Sequence, residues 1–189
     1  DVLIYKPGTA EIPEGGVIGT SSRRRTLQMQ TLYPSCSFQG IRGNVETRLQ
    51  KLREENFDGT ILAAAGLRRL GMQHVIGRVF SVEEMVPAAG QGILAIQGRK
   101  GEDYTYLAEA ASERSRKEAA AEREFVAALD AGCTSPIAAH AQLCGTELKL
   151  TGLYYSEDSG KYWVETRAGA ADRGRQLGAA LAGEMRRRE

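Results

Sequence analysis

The feature that most constrains the fold is a unit that occurs three times between residues 16 and 71. Each unit is a short apolar run, then a turn, then a segment with apolar residues at helical spacing. The apolar runs cover residues 16–19, 37–41 and 59–64. Strands that alternate with helices in this way indicate a parallel sheet with helices packed on its faces. We therefore expect an α/β fold with a parallel sheet in this part of the chain.

Local signals predict where the helices of these units begin. Ser21 or Ser22 can cap the first helix, and Asn44 can cap the second, because their side-chain oxygens accept from free N–H groups of a first turn. After the third strand, Gly66 predicts a turn and residues 67–70 predict a short helical turn.

The pattern changes beyond residue 85. Residues 87–92 predict a glycine-rich loop and residues 93–96 a strand, and an alanine-rich helix is expected over 103–129. Three antiparallel strands and a closing helix are then expected at 137–143, 147–155, 161–166 and 172–188. This order predicts a second, α+β domain that begins near residues 98–103.

The bulk composition narrows the possible partners. The net charge of +1 gives no reason to expect binding to nucleic acid or to a membrane surface. No apolar run approaches the roughly 18 residues that span a bilayer, and the beginning of the sequence does not resemble a signal peptide. The 3 cysteines include no CxxC pair, and the 2 histidines have no partner at metal-ligand spacing, so no disulfide or metal site is predicted. We expect a protein of the reducing cytoplasm.

Arginines recur where the predicted helices begin. The positions are Arg24 and Arg25, Arg42, Arg48, and Arg68 and Arg69. A helix N-terminus carries partial positive charge, so a cation there is unfavourable by about 0.3–1 kcal/mol. In a parallel sheet the strand-to-helix junctions share one edge, where ligands of open α/β sheets bind. The recurrence therefore predicts a receptor for carboxylates or phosphates.

A simpler interpretation of the same arginines stays open. Residues 23–25 could be a solvated surface run. Arg68 and Arg69 could instead pair with nearby carboxylates, for which the candidates are Glu54, Glu55 and Glu83.

Cys133 stands apart from Cys36 and Cys144, which lie in strand-like segments and are expected in the core. Cys133 follows the long predicted helix in a loop. A helix C-terminus disfavours a thiolate, and no histidine is close in sequence, so an attachment point fits better than a turnover nucleophile. An ordinary half-buried thiol is the alternative.

Five segments of the chain resemble the hydroxymethylbilane synthase (porphobilinogen deaminase) family in order and spacing. They are Gly19-Thr20-Ser21-Ser22-Arg23-Arg24-Arg25, Ile41-Arg42-Gly43-Asn44-Val45-Glu46-Thr47-Arg48-Leu49, residues 61–71, residues 87–92 and residues 131–136. The resemblance covers nearly the whole chain.

The resemblance implies a transferase of porphyrin and heme biosynthesis. Such an enzyme joins four porphobilinogen molecules, with release of ammonia, into the linear tetrapyrrole hydroxymethylbilane. It carries a dipyrromethane cofactor on a cysteine that matches Cys133. The expected partners are porphobilinogen and the growing polypyrrole, without nucleic acid or membrane, and the full-length enzyme is expected to be a monomer in the cytoplasm.

The resemblance also assigns site residues and domains. The residues expected to bind the cofactor are Cys133, Thr20, Ser21, Ser22, Arg24, Arg25, Arg42, Gly43 and Arg48, and those expected to bind substrate are Arg24, Arg42, Arg48 and Arg69. The implied architecture is a periplasmic-binding-protein-like parallel-sheet domain, residues 1–85, followed by a small α+β cofactor-attachment domain with three antiparallel strands, residues 103–189. Residues 86–102 would return to a first domain.

One expected motif is missing. The family's first domain carries a Lys-Asp pair whose aspartate handles protons at the pyrrole nitrogens, and no Lys-Asp dipeptide occurs in this sequence. No catalytic residue is therefore assigned, and we expect these residues to be inactive on their own. The alternative from another class is a non-catalytic α/β anion-binding module. A dinucleotide-binding domain is weakly supported, because no Gly-x-Gly-x-x-Gly follows the first strand.

Overall fold

A computed structural model describes residues 1–129 and 136–188. The described chain forms two compact units. Unit 1 comprises residues 1–88 with 136–138, and unit 2 comprises residues 89–129 and 139–188. Within these ranges no helix has the length and apolar character needed to cross a membrane.

Unit 1 is a five-stranded mixed sheet with three helices. Its elements are β1 (Val2–Tyr5), β2 (Val17–Gly19), α1 (Arg23–Leu32), β3 (Ser37–Gln39), α2 (Val45–Glu54), β4 (Gly59–Leu62), α3 (Ala64–Arg69) and β5 (Arg78–Val79). The strand order is β3-β2-β4-β1-β5. β2 is parallel to β3 and β4, as the repeated units predicted, whereas β1 lies antiparallel between β4 and β5.

Two of the predicted helix starts are confirmed by their caps. The Ser22 side chain accepts from the backbone N–H of Arg25 at the start of α1, and the Asn44 side chain accepts from Thr47 N–H at the start of α2. Each oxygen satisfies a donor that has no partner within the helix.

The prediction for the third helix was wrong at its start. α3 begins at Ala64, includes Gly66 and ends at Arg69, so Arg68 lies in its last turn and not in its first. Alanine favours the helical conformation, and the helix buries Leu67 completely, so this packing outweighs the preference of Gly66 for a turn.

The apolar side chains of the sheet alternate between two buried clusters. Val2 and Ile4 pack with leucines of α2 and α3 on one face. Leu3 and Ile18 pack with Met29 of α1 on the other. Successive side chains of a strand point to opposite faces, so helices cover both sides of the sheet.

Unit 2 is a three-stranded sheet with two helices. Its elements are α4 (Glu113–Ala128), β6 (Ala138–Cys144, which begins in unit 1), β7 (Glu147–Tyr155), β8 (Tyr162–Ala170) and α5 (Gly174–Arg186), and the strand order is β6-β7-β8. α4 packs closely on α5, because a Cβ added to Gly178 would lie 2.5 Å from the carbonyl oxygen of Ala121. Phe125 of α4 and leucines of β7 are fully buried in the core.

Two predictions for the middle of the chain were wrong. The helix expected over 103–129 is divided into a 3-10 segment, Thr105–Ala110, and α4, because Ser112 starts a new helix by accepting from Ser115 N–H. Residues 93–96 form no strand, and Leu94 is 71% exposed. A single strand leaves its backbone groups without partners, so it forms only where another strand pairs with it.

Cys36 is half-buried and Cys144 is exposed, so the expectation of a core position was wrong for Cys144. Cys144 ends β6, next to the turn at Gly145.

Candidate functional site

The carboxyl ends of β2, β3 and β4 lie side by side at one edge of the unit 1 sheet. Gly19 is aligned with Gln39 of β3 and with Thr60 of β4. β1 runs in the opposite direction, with Val2 opposite Leu62, so its beginning lies at the same edge. We call the arginine edge the set formed by residues 20–22, Arg24, Arg25, Arg42, Gly43 and Arg48 together with Asp1.

The hydroxyl groups of the Thr20-Ser21-Ser22 turn order the arginine edge from within. The Thr20 hydroxyl accepts from the N–H of Ser22 at 3.2 Å, and the Ser21 hydroxyl donates to the carbonyl of Ile41 at 3.0 Å. The Ser22 hydroxyl accepts from Arg25 N–H at 3.4 Å. These bonds fix the turn that carries the two arginines of α1.

Arg24 and Arg25 share the carboxylate of Asp1. Arg24 Nη1 donates to Asp1 Oδ2 at 2.7 Å, and Arg25 donates to Asp1 Oδ1 through Nε at 3.1 Å and Nη2 at 2.8 Å. Arg25 Nη1 also donates to the carbonyl of Ile61, at the end of β4, at 3.1 Å. The two guanidinium groups are therefore fixed in place by one carboxylate and by the sheet.

Both arginines are strongly desolvated. Arg24 is only 6% exposed. Burial lowers the pKa of Arg24 to about 9, with a smaller contribution from the neighbouring charge of Arg25, and burial lowers the pKa of Arg25 to about 10. At neutral pH both groups remain charged, and among the described side chains they share the carboxylate of Asp1.

Arg48 adds a partly buried cation to the edge. Its Nε donates to the carbonyl of Gly43 at 2.8 Å. Partial burial lowers the pKa of Arg48, and the nearby charge of Arg25 lowers it further. Gly43 has φ +123°, and a Cβ there would lie 2.6 Å from Thr47 Cγ2, so the bend that presents Arg48 requires glycine.

The remaining predicted arginines are exposed. Arg42 lies in the turn between β3 and α2, within the arginine edge. Arg69 ends α3, roughly 8 Å of helical rise beyond the start of that helix. The helix-start argument therefore does not apply to Arg69, and its role in substrate binding stays a prediction that rests on the resemblance alone. Cys133 lies outside the described residues.

Two residues that belong to this edge or contact it, Asp1 and Gln28, were not predicted from the sequence. Asp1 contacts the arginines although it is 23 or 24 positions away in the sequence, and a local sequence pattern does not predict a contact at that separation. Gln28 is 4% exposed. It lies four residues after Arg24 and therefore on the same side of α1. A polar residue at helical spacing from a predicted site residue was the only available signal.

Unit 2 contains a buried carboxylate of its own. Glu122 of α4 is 4% exposed and accepts from the N–H of Gly90 at 2.6 Å and from the N–H of Ala141 at 2.8 Å. The imidazole Nδ1 of His140 lies 3.8 Å from it. Burial raises the pKa of Glu122, and the two backbone N–H groups partly oppose that shift.

A sheet edge crowded with guanidinium groups is typical of α/β proteins with a site suited to anions. Residues 1–107 match the family model described as "Porphobilinogen deaminase, dipyromethane cofactor binding domain", and residues 116–187 match "Porphobilinogen deaminase, C-terminal domain". The chain belongs to the porphobilinogen deaminase family. This membership confirms the resemblance and gives no support to the alternative of a non-catalytic module.

Curated relatives lead to the same family. The chain is 45% identical to the porphobilinogen deaminase of Acetivibrio thermocellus over 185 residues, which is 98% of the chain and 63% of that protein. It is 46% identical to that of Ruminiclostridium josui, over 91% of the chain and 59% of that protein, and 41% identical to that of Roseiflexus castenholzii, over 98% and 62%. The chain thus spans about three fifths of the length of these relatives.

Proposed function

We propose that the chain is the central and C-terminal portion of a hydroxymethylbilane synthase, a transferase that joins four porphobilinogens into a linear tetrapyrrole for heme synthesis. The observation that carries the proposal is the arginine edge in a chain of this family. Porphobilinogen is a dicarboxylate, so a polypyrrole bears many anionic groups and requires a cationic site to hold it.

Each joining step exchanges one bond for another. The bond between the aminomethyl carbon and nitrogen of porphobilinogen breaks, and the nitrogen leaves as ammonia. The same carbon then forms a bond to the free α-carbon of the terminal pyrrole, which loses its proton. A carboxylate stabilises the positive charge that develops on the ring after ammonia leaves.

The residues at the arginine edge fit a dipyrromethane cofactor. Arg48 and Arg42 are the arginines of the edge with the most solvent access, and they can donate to the acetate and propionate groups of a pyrrole. Arg24 and Arg25 add positive potential behind them. When bound, the dipyrromethane supplies the pyrrole end that is extended, and a thioether to Cys133 would hold it.

Further parts of the proposal concern the domains and the full-length enzyme. Residues 86–102 would return to a first domain, and the exposed side chains of Leu94 and Ile96 would be covered there. That domain would contribute the catalytic aspartate, so residues 1–189 alone would form no tetrapyrrole. The full-length enzyme would work as a cytoplasmic monomer.

The test replaces Arg48 by glutamine in the full-length gene product. Arg48→Gln removes one charged donor from the arginine edge, so the KM for porphobilinogen should rise roughly 10- to 100-fold, which corresponds to the about 1.5–3 kcal/mol of a charged hydrogen bond. Steady-state assays of ammonia release or of product absorbance measure it. Arg53→Gln is the matched control, because Arg53 is exposed in the last turn of the same helix.

Equal kinetics for the two variants would contradict the proposed binding role. Mass spectrometry of the intact full-length protein provides a second arm. We expect an adduct of two pyrrole units on Cys133 that is absent from Cys133→Ser. The same adduct on Cys36 or Cys144 would show that the attachment site is assigned wrongly.

A further inference from the structure

The side chain of Gln28 makes an unusual set of contacts for a glutamine inside a helix. Its Oε1 accepts from the N–H of Val86 at 2.7 Å. Its Nε2 donates to the carbonyl of Val86 at 3.1 Å and to the carbonyl of Arg24 at 3.2 Å. One buried amide thus satisfies both backbone groups of Val86, as a residue of a neighbouring strand would.

Val86 is at a particular place in the chain. It is 1% exposed, and it lies two residues before the end of unit 1 at Ala88. No strand includes it. The position of its backbone in unit 1 therefore depends on side chains, and Gln28 supplies the contacts that a strand would otherwise make.

The contact reaches the arginine edge through a shared acceptor. Arg24 Nη1 donates to the carbonyl of Val86 at 2.7 Å, and the same Nη1 donates to Asp1 Oδ2 at 2.7 Å. Gln28 and Arg24 thus bind one carbonyl oxygen, and the Arg24 guanidinium lies between that oxygen and Asp1. A shift of Val86 would move the acceptor that orients Arg24.

We propose that Gln28 is a positioning residue of the carboxylate-binding site. It fixes Val86, and Val86 orients the Arg24 guanidinium at the arginine edge, so that Asp1 and Arg25 keep the arrangement that receives the ligand. The inference rests on the proposed function for the identity of the ligand, a carboxylated pyrrole. The contacts of Gln28 with Val86 and Arg24 do not depend on that identity.

The test compares variants of the full-length gene product. Gln28→Met keeps the length of the side chain and removes its hydrogen bonds, and Gln28→Glu keeps the acceptor for Val86 N–H but loses both donations. Gln30→Met is the matched control, because Gln30 is exposed on the same helix. Amide hydrogen exchange at Val86 reports the contact, and steady-state kinetics with porphobilinogen report the site.

The expected result separates binding from turnover. In Gln28→Met the amide hydrogen of Val86 should exchange at least about tenfold faster than in wild type, because buried hydrogen bonds are lost. The KM for porphobilinogen should rise about tenfold, with little change in kcat. Gln28→Glu should retain protection of the Val86 amide and give an intermediate KM. Gln30→Met should match wild type in both measurements.

Unchanged exchange at Val86 in Gln28→Met, or a KM equal to that of Gln30→Met, would overturn the inference. A uniform loss of kcat without a change in KM would also overturn it, because that outcome indicates general damage to the fold. If Gln28→Met does not fold, Gln28→Glu alone decides by its KM against Gln30→Met. If the wild-type protein does not consume porphobilinogen, the proposed function fails, and the exchange measurement still tests the contact of Gln28 with Val86.

Discussion

The two units bury charge in different ways. In the described part of unit 1, Arg24 and Arg25 share the carboxylate of Asp1, whose side chain is 0% exposed. In unit 2, Glu122 accepts two backbone N–H groups, and its nearest described side chain of possible positive charge is His140, which is partly exposed. Among the described side chains, the first site has more cations than anions, whereas the second holds an anion mainly by peptide dipoles.

The difference shows which buried charges are available to a ligand. An incoming carboxylate reduces the repulsion between guanidinium groups at the open edge of a sheet, so the arginine edge is suited to an anion. Glu122 already has donors on both oxygens, and it connects the loop before α4 to β6. The first arrangement favours binding, and the second favours a structural role.

Removing the counter-charge in unit 1 should have the largest effect. Asp1→Asn removes the carboxylate that the two buried guanidinium groups share, and breaking a buried ion pair by removing one partner costs about 3–5 kcal/mol. Denaturation of the full-length protein in urea measures the free energy of unfolding. Asp158→Asn, at an exposed position, is the control and should change it little. A loss no larger than that of the control would show that the arginines do not depend on Asp1.

Removing one acceptor in unit 2 should have a smaller effect. In Glu122→Gln the amide N–H₂ faces a backbone N–H that the carboxylate had bound, so one buried donor loses its acceptor at a cost of about 1–3 kcal/mol. Glu124→Gln on the same helix removes only an outer contact with Arg175 and should cost less than about 1 kcal/mol. Equal unfolding free energies for these two variants would contradict the assigned role of Glu122.

The pH dependence of stability should show the smallest of these effects, and it concerns Glu122 in unit 2. The folded state raises the pKa of Glu122, so it binds a proton more readily than the unfolded chain does. The resulting stabilisation is complete below the ordinary value of 4.5 and is lost as the pH rises through the raised pKa.

Wild type should therefore gain stability relative to Glu122→Gln when the pH falls from 7 toward 4.5, as measured by urea denaturation. Glu118 also raises the pKa of Glu122, and protonated His140 opposes that effect, so the comparison is made in a His140→Gln background. A difference between the variants that does not change with pH would show that Glu122 does not titrate in this range.

Local signals predicted most of the elements. The caps Ser22 and Asn44 and the bounds of β7 follow from neighbouring residues, and the structure reproduces them. The helix start at Ala64 was missed because the packing of Leu67 outweighed the preference of Gly66 for a turn. Propensity describes a residue alone, whereas burial depends on the rest of the fold.

The arrangement of the candidate site depended on distant contacts. The arginines were predicted from their recurrence, but the residues that they contact within the protein could not be predicted. Asp1 lies next to Arg24 because β1 pairs antiparallel with β4, and no periodicity in the sequence indicates that pairing. The contact of Gln28 with Val86 spans 58 positions. The strand expected at residues 93–96 was predicted wrongly for the opposite reason. Its own pattern is strand-like, but a strand forms only where a second strand pairs with it.

The most direct test of the account is a crystal structure of the full-length protein loaded with its cofactor. We expect pyrrole carboxylates within hydrogen-bond distance of the Arg48 guanidinium, at the carboxyl edge of β2, β3 and β4. Carboxylates bound instead around Lys6, Arg53 and His74, which line a pocket at the opposite edge of the same sheet, would contradict it.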